Sequence, residues 1–155
     1  MHWFTRWSPA LAWAVVISAL STSFFSAENT GRVIIPILHW AFPQTPLATL
    51  LEVHHVLRKC AHFTEYFILS LLILRGIRGP RRETHLRWAL LVILIVAGYA
   101  SLDEWHQAFA PGRTPAFTDV LLDTAGGVAA QIVVALFALR SSAGDRRRDS
   151  LETSA

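Results

Sequence analysis

Four long apolar stretches alternate with short polar connections along the chain, a pattern typical of proteins that cross a membrane several times. The stretches cover residues 9–27, 55–77, 88–109 and 116–139. A helix needs about 20 mostly apolar residues to cross the hydrocarbon core of a bilayer. We therefore predict an all-α fold, a four-helix integral membrane bundle with one helix in each stretch.

The first stretch has two interpretations. Its second half contains several serines and a threonine, so it is less apolar than the first half. If it were a signal peptide cleaved after Ala27, bulky Phe25 would occupy a position where a small residue is needed. We therefore favour an uncleaved first helix over a cleaved signal peptide.

The connection between the first and second helices covers residues 28–54 and contains Gly31 and three prolines. Its apolar piece, residues 33–42, is too short to span a bilayer. Trp40 and Phe42 are of the types that anchor a segment at a membrane interface. We predict an interfacial or re-entrant segment here, with a plain loop as the alternative.

Composition agrees with a membrane protein. Hydrophobic residues make up 53% of the 155 residues and charged residues only 16%, and the mean hydropathy is +0.40. This length suits a single transmembrane domain, which we place at residues 1–140. The polar, arginine-rich residues 141–155 are predicted to be a disordered cytoplasmic tail. The single cysteine, Cys60, excludes an intrachain disulfide.

The arginines indicate orientation in the membrane rather than a nucleic-acid partner. Five of them lie within residues 75–87, between the second and third stretches, and others lie near the two termini. Loops that face the cytoplasm carry an excess of lysine and arginine. We therefore predict a multi-pass protein of the cytoplasmic membrane with both termini in the cytoplasm.

Ionisable and amide side chains gather at the opposite, outer ends of the second, third and fourth predicted helices. Spacings of three and four residues place many of them on shared helix faces. Charged groups inside a membrane are costly and usually face a bundle interior or a water-filled cavity. We predict one outward-facing polar site formed by Lys59, His62, Glu65, Asp103, Glu104, Gln107, Arg113, Asp119 and Asp123.

Two sequence blocks carry a resemblance to a known family. The first is Lys59-Cys-Ala-His62-Phe63-Thr-Glu65-Tyr66, and the second runs from Glu104-x-x-Gln107 through Pro111-Gly112-Arg113 to Asp119-x-x-x-Asp123-x-x-Gly126. Together, within residues 54–130, they resemble the VanZ-like family of small membrane proteins, which is associated with resistance to glycopeptide antibiotics such as teicoplanin. Asp123 departs from the family pattern, which more often has asparagine there. The resemblance implies a function in the cell envelope and adds Tyr66 to the candidate binding residues.

The cations of the predicted site have two possible roles. Lys59 and Arg113, with Arg58 as a further candidate, can bind an anionic headgroup, because arginine pairs with phosphate through two hydrogen bonds and lysine acts as a point charge. They can also neutralise Glu65, Asp119 and Asp123, because buried charges need partners. The two roles are compatible, and the sequence leaves both open.

His62 with Glu65 or Asp119 forms the candidate catalytic set, because histidine titrates near neutral pH and can transfer protons. Structural roles are the alternatives: His62 as a hydrogen-bonding link between helices, and Asp119 as the N-cap of the fourth helix. His62, Glu65 and Asp103 are also of metal-ligand types, but the chain has no HExxH pair. We assign no metal, and the sequence names no cofactor.

The sequence thus favours a VanZ-like membrane protein that engages a lipid headgroup or a lipid-linked cell-wall intermediate and affects glycopeptide tolerance. The alternative is a membrane-embedded enzyme that transfers or hydrolyses a lipid headgroup, and a third option is a small proton-coupled carrier. The expected partners are membrane lipids or a lipid-linked precursor, and no nucleic acid is expected. The reaction, the question of enzymatic activity and the oligomeric state are not specified by the sequence.

Overall fold

The computed structural model describes residues 2–79, 85–109 and 116–152, with side chains for residues 3–79, 85–109 and 116–141. Within these ranges the chain is helical and has no strand, which confirms the all-α prediction. A short 3-10 turn, Ser23–Phe25, separates the first two helices. The five α-helices are α1 His2–Leu20, α2 Ala27–Ala41, α3 Leu47–Arg78, α4 Leu86–Gln107 and α5 Phe117–Glu152.

Three of these helices are long and apolar enough to cross a membrane: α3, α4 and α5. The segment Trp3–Leu20 passes the same test only together with Ser23–Ala41, and the two are bent by 65°. The bent pair has the composition of a broken span or a re-entrant loop. The described residues therefore contain three helices with the length and composition of a membrane span, or four such segments when the bent pair is counted as one.

The contacts show the direction in which each helix runs. Near the start of α1, the ring of Trp7 packs so closely on Gly76 that an added Cβ would lie 2.9 Å from it. Trp13, further along α1, donates a 2.9 Å hydrogen bond to the carbonyl oxygen of Glu65. Helix α1 is therefore antiparallel to α3, and the start of α1 lies at the end of the bundle where α3 finishes.

Helices α3 and α5 run parallel to each other. Lys59 pairs with Asp119 near the start of α5, and further along both helices the side chain of Gln131 donates a 2.8 Å hydrogen bond to Ser70. Helix α5 therefore finishes at the same end of the bundle as α3. Because α1 starts at that end, both termini of the helical bundle lie on one side of it.

A run of small polar residues explains the bend after α1. The hydroxyl of Thr22 donates to the carbonyl oxygen of Ala19, and the hydroxyl of Ser26 accepts a bond from the backbone N–H of Asn29 at the start of α2. Serine and threonine side chains compete with the helical backbone for hydrogen bonds and favour helix ends. The predicted first helix, residues 9–27, therefore begins and ends too late in the chain, since α1 runs from His2 to Leu20.

The predicted connection at residues 28–54 is also largely helical. It contains most of α2 and the first two turns of α3, which begins at Leu47, just after Pro46 at its N-cap position. A proline is well tolerated at the start of a helix because its missing N–H has no partner there anyway. The plain-loop alternative is therefore wrong for the residues within α2.

The predicted tail, residues 141–155, begins within the last helix. Helix α5 does not stop at residue 140 but continues to Glu152. Arg146, Arg147 and Arg148 in this segment are residues that favour helices. Adding turns to an existing helix avoids the cost of starting a new one.

The core of the bundle lies where α1, α3 and α4 meet. Ile17, Tyr66, Val92 and Val96 are fully buried in it. Many large apolar side chains on the outer faces of the helices remain exposed, as expected for surfaces that face lipid. Polar residues of α3, α4 and α5 are therefore turned inward, toward one end of the bundle.

Candidate functional site

A cavity of about 180 Å³ lies between α3, α4 and α5 at the end of the bundle opposite the termini. We call it the polar cavity, because most of its lining is charged or polar. Six of the residues predicted from the sequence line it: Lys59, His62, Glu104, Gln107, Asp119 and Asp123. Three separate parts of the chain thus contribute side chains to one space.

The cation and carboxylate at the mouth of the polar cavity are paired. Lys59 Nζ lies 3.1 Å from Asp119 Oδ1, and both side chains are about 40% exposed. An ion pair with this exposure is stabilised only weakly, because water screens both charges. An incoming anion can therefore displace Asp119 from Lys59 at little cost.

Deeper in the polar cavity, a histidine faces a carboxylate. His62 Nδ1 lies 3.8 Å from Asp123 Oδ1, and the side chain of Asp123 is only 6% exposed. His62 is three residues beyond Lys59 on α3, and Asp123 is four residues beyond Asp119 on α5. Each therefore lies on the same helix face as the residue before it. The distance is too long for a direct hydrogen bond, but a His62 ring protonated on both nitrogens would form an ion pair with an ionised Asp123.

The far wall of the cavity is fixed by hydrogen bonds. Asp103 Oδ2 accepts a 2.6 Å bond from Ser21 and a 2.9 Å bond from Gln107, and all three side chains are buried. Glu104 accepts a bond from the backbone N–H of Ala116, which lies just before α5. Asp103 therefore ties α1 to α4 and orients Gln107, while Glu104 positions the start of α5.

The chain matches a protein-family model over most of its length. A family model described as VanZ/LLP1 matches residues 7–138, which cover most of the chain and all of the lining described above. The chain belongs to the VanZ/LLP1 family. No curated protein and no solved structure matches it.

Helix α2 of this VanZ/LLP1 chain is held to the rim of the polar cavity by Arg58. The guanidinium donates a 2.8 Å bond to the carbonyl oxygen of Phe25 and a 3.2 Å bond to the hydroxyl of Thr30. Thr30 in turn lies 3.2 Å from a ring nitrogen of His54. The bent pair of helices therefore forms one edge of the site.

The remaining predicted site residues lie elsewhere. Glu65 lines a second cavity next to the first, whereas Tyr66 is fully buried in the core, with its ring centre 6.1 Å from that of Tyr99. Asp119 lies inside the first turn of α5, which starts at Phe117, so the N-cap alternative is wrong. Arg113 lies outside the described residues.

Two contributors to the site lie outside the residues predicted from the sequence. His55 lines the polar cavity together with Arg58, whereas the sequence pattern identifies it only as the first residue of a span. Ser21 is identified by the pattern only as a polar residue in the second half of an apolar stretch. A serine in the last two turns of one predicted span, matched by an aspartate in the last two turns of another, is the signal that could have indicated the Ser21–Asp103 bond.

The described residues contain no group of three or more histidine, cysteine, aspartate or glutamate side chains arranged to hold a metal ion. The polar groups that are present suit a different ligand. Lys59 and Arg58 offer N–H donors to an anion, while Gln107 and His62 offer hydrogen-bonding atoms in the same space. Such a set of donors suits the oxygens of a phosphate or a similar oxyanion.

Proposed function

We propose that this VanZ/LLP1 protein binds the phosphate-bearing headgroup of a membrane lipid, or of a lipid-linked cell-wall intermediate, and through that binding affects tolerance to glycopeptide antibiotics. The observation that carries the proposal is the polar cavity, with Lys59 at its mouth in a weak ion pair. A ligand phosphate takes the place of the Asp119 carboxylate beside Lys59. The small volume, about 180 Å³, suits a headgroup rather than a whole lipid.

The proposal places the polar cavity at the outer leaflet of the cytoplasmic membrane. The start of α1 and the end of α5 lie on the side opposite the cavity, and that side carries the described arginines Arg75, Arg78 and Arg140. Lysine and arginine are retained on the cytoplasmic side during insertion. The termini are then cytoplasmic, and the cavity faces the compartment in which cell-wall precursors are assembled.

Reporter fusions test this orientation. Green fluorescent protein joined after residue 155 is expected to fluoresce, and alkaline phosphatase joined at the same point is expected to be inactive, because the first folds in the cytoplasm and the second needs export. Fusions truncated at residue 109, after α4, are expected to behave in the opposite way. An active phosphatase fused at residue 155 would contradict the orientation and the outward-facing cavity with it.

A second candidate function is favoured by the pairing of His62 with Asp123 at the base of an open cavity. In a headgroup transfer or hydrolysis, an alcohol or water oxygen forms a bond to phosphorus, and the bond to the departing alcohol breaks. His62 accepts the proton of the attacking oxygen and returns it to the departing one, while Asp123 holds the protonated ring. No other reactant is needed.

Replacing His62 with alanine separates the two functions. We expect a glycopeptide-susceptible host that produces the wild-type protein to gain teicoplanin tolerance, and the His62→Ala variant to lose most of that gain. An unchanged profile of envelope lipids across the two strains supports binding. A headgroup species that appears only with the wild type supports the enzyme.

His106→Ala is the matched control, because His106 is an exposed histidine on α4 that does not line the polar cavity. This control is expected to behave as the wild type in both measurements. Protein levels in the membrane fraction are compared by immunoblot. Full tolerance in the His62→Ala strain at equal protein level would contradict both candidate functions.

A further inference from the structure

A second cavity, of about 190 Å³, lies next to the polar cavity between α3 and the bent pair of helices. Its lining is mainly apolar and includes Leu20, Phe25, Ile34, Leu57 and Ala61. We call it the apolar cavity. We propose that it holds a segment of the hydrocarbon chain of the same lipid whose phosphate occupies the polar cavity, an inference that rests on the proposed function.

The two cavities share a wall, which is the first reason for this assignment. Arg58 and His62 line both of them. These residues are four positions apart and lie on one face of α3, so the cavities meet along that face rather than on opposite sides of a helix. A ligand with a charged end and an apolar end therefore fits across the shared wall.

The second reason is the surface onto which the apolar cavity opens. Leu57 is 47% exposed and Phe25 is 37% exposed, and both lie at its edge. The outer faces of the spans carry exposed leucines, isoleucines and phenylalanines, so they face hydrocarbon rather than water. A lipid chain can thus enter from the side, without leaving the bilayer.

The third reason is size. Pockets for drug-sized ligands measure about 300–1,000 Å³, and the apolar cavity is smaller than that range. It has room for one chain segment and none for a further helix. Thr30 and Glu65 are the polar exceptions in its lining, and the shared residues Arg58 and His62 mark the end at which the headgroup lies.

The position of Arg58 supports the same assignment. Its guanidinium holds α2 through the carbonyl oxygen of Phe25 and the hydroxyl of Thr30, and both of these residues line the apolar cavity. Arg58 therefore fixes the wall of the apolar cavity and also lines the polar cavity. A ligand lacking the chain would use only the polar half of this arrangement.

The test compares phosphates with and without a hydrocarbon chain. The full-length protein is placed in nanodiscs of digalactosyldiacylglycerol, a neutral lipid without phosphate, and titrated with inorganic phosphate, butyl phosphate and dodecyl phosphate. Each methylene group that enters the apolar cavity is expected to tighten binding by up to about fourfold. Partition of each probe into protein-free nanodiscs is measured and subtracted.

Two variants that fill the apolar cavity, Ala61→Trp and Ile34→Trp, are expected to lower the affinity for dodecyl phosphate by about tenfold or more, which corresponds to the loss of two or more methylene contacts. Their affinity for inorganic phosphate is expected to stay that of the wild type. Ala125→Trp is the matched control, since Ala125 is an exposed alanine on α5 that lines neither cavity.

Three outcomes are distinguishable. Loss of dodecyl phosphate binding in both filled variants, with inorganic phosphate binding retained, supports the chain site. Wild-type binding of all probes by both filled variants overturns the chain site and leaves the proposed headgroup function standing. Absence of binding of any phosphate probe to the wild-type protein overturns the headgroup function and the chain site together.

Discussion

Replacing Lys59 with glutamine is expected to weaken the binding of dodecyl phosphate by about 10- to 100-fold. A hydrogen bond to a charged group contributes about 1.5–3 kcal/mol, and each 1.4 kcal/mol is a factor of ten in affinity. Lys59 lies at the mouth of the polar cavity and pairs with Asp119 at 3.1 Å. Glutamine keeps a donor of similar size there and removes the charge. Titration in phosphate-free nanodiscs measures the effect.

Asp119, the partner of Lys59, distinguishes ligand binding from internal neutralisation by the direction in which its replacement changes phosphate affinity. If Lys59 binds the phosphate, Asp119→Asn removes a carboxylate that competes with the ligand, and the affinity for dodecyl phosphate is expected to rise about threefold or more, as a weak exposed pair of about 1 kcal/mol implies. Lys59→Gln and Asp119→Asn then act in opposite directions. If both substitutions leave phosphate affinity unchanged and only lower thermal stability, Lys59 serves neutralisation alone and the binding proposal fails.

The polar site could be predicted from the sequence because its residues lie toward the outer ends of the apolar stretches and recur at helical spacing. Lys59 and His62 are three residues apart on one span, and Asp119 and Asp123 are four apart on another. Charged groups are costly in contact with lipid, so they face the interior of the bundle. Because successive spans run in opposite directions, these groups then meet at the same end of the bundle. In the structure these four side chains line the polar cavity, and their roles stay predictions.

Other features of the site could not be predicted because they depend on contacts that the local sequence does not specify. The bond from Ser21 to Asp103 requires α1 to end at Leu20, and the run of serines only weakly indicates that end point. Helix α2 is amphipathic and contains Pro36, so its composition is equally typical of a loop at the interface. Its position depends on Arg58 and Thr30, which are far apart in the sequence.

Tyr66 illustrates a limit of reasoning from a motif. The family signature contains it together with His62, and because it lies four residues beyond His62 on a helix, the spacing places the two on neighbouring faces. The structure turns it into the core against Tyr99, where it is fully buried. Membership of a signature block therefore does not distinguish a residue that lines the cavity from one that packs in the core behind it, and only the packing separates the two.

Replacing Gly126 with alanine is expected to lower the free energy of unfolding by about 2 kcal/mol, because a Cβ at that position would collide with the backbone carbonyl oxygen of Phe63. Overpacking of a tight interface costs typically about 1–3 kcal/mol, and a backbone atom cannot move aside as a side chain can. Gly126 lies one turn after Asp123, so the same change is expected to widen the contact between α3 and α5. Unfolding in sodium dodecyl sulfate, followed by tryptophan fluorescence, measures the loss.

Gly98→Ala is the matched control, because nothing lies within 4 Å of a Cβ added at Gly98, which is exposed on α4. Alanine favours a helix over glycine by up to about 1 kcal/mol, so this variant is expected to be as stable as the wild type or slightly more so. The two substitutions are chemically identical and differ only in what the new methyl group meets. Equal stabilities for the Gly126→Ala and Gly98→Ala proteins would show that α3 and α5 do not pack backbone to backbone at Phe63, and the shape of the polar cavity above that contact would then need revision.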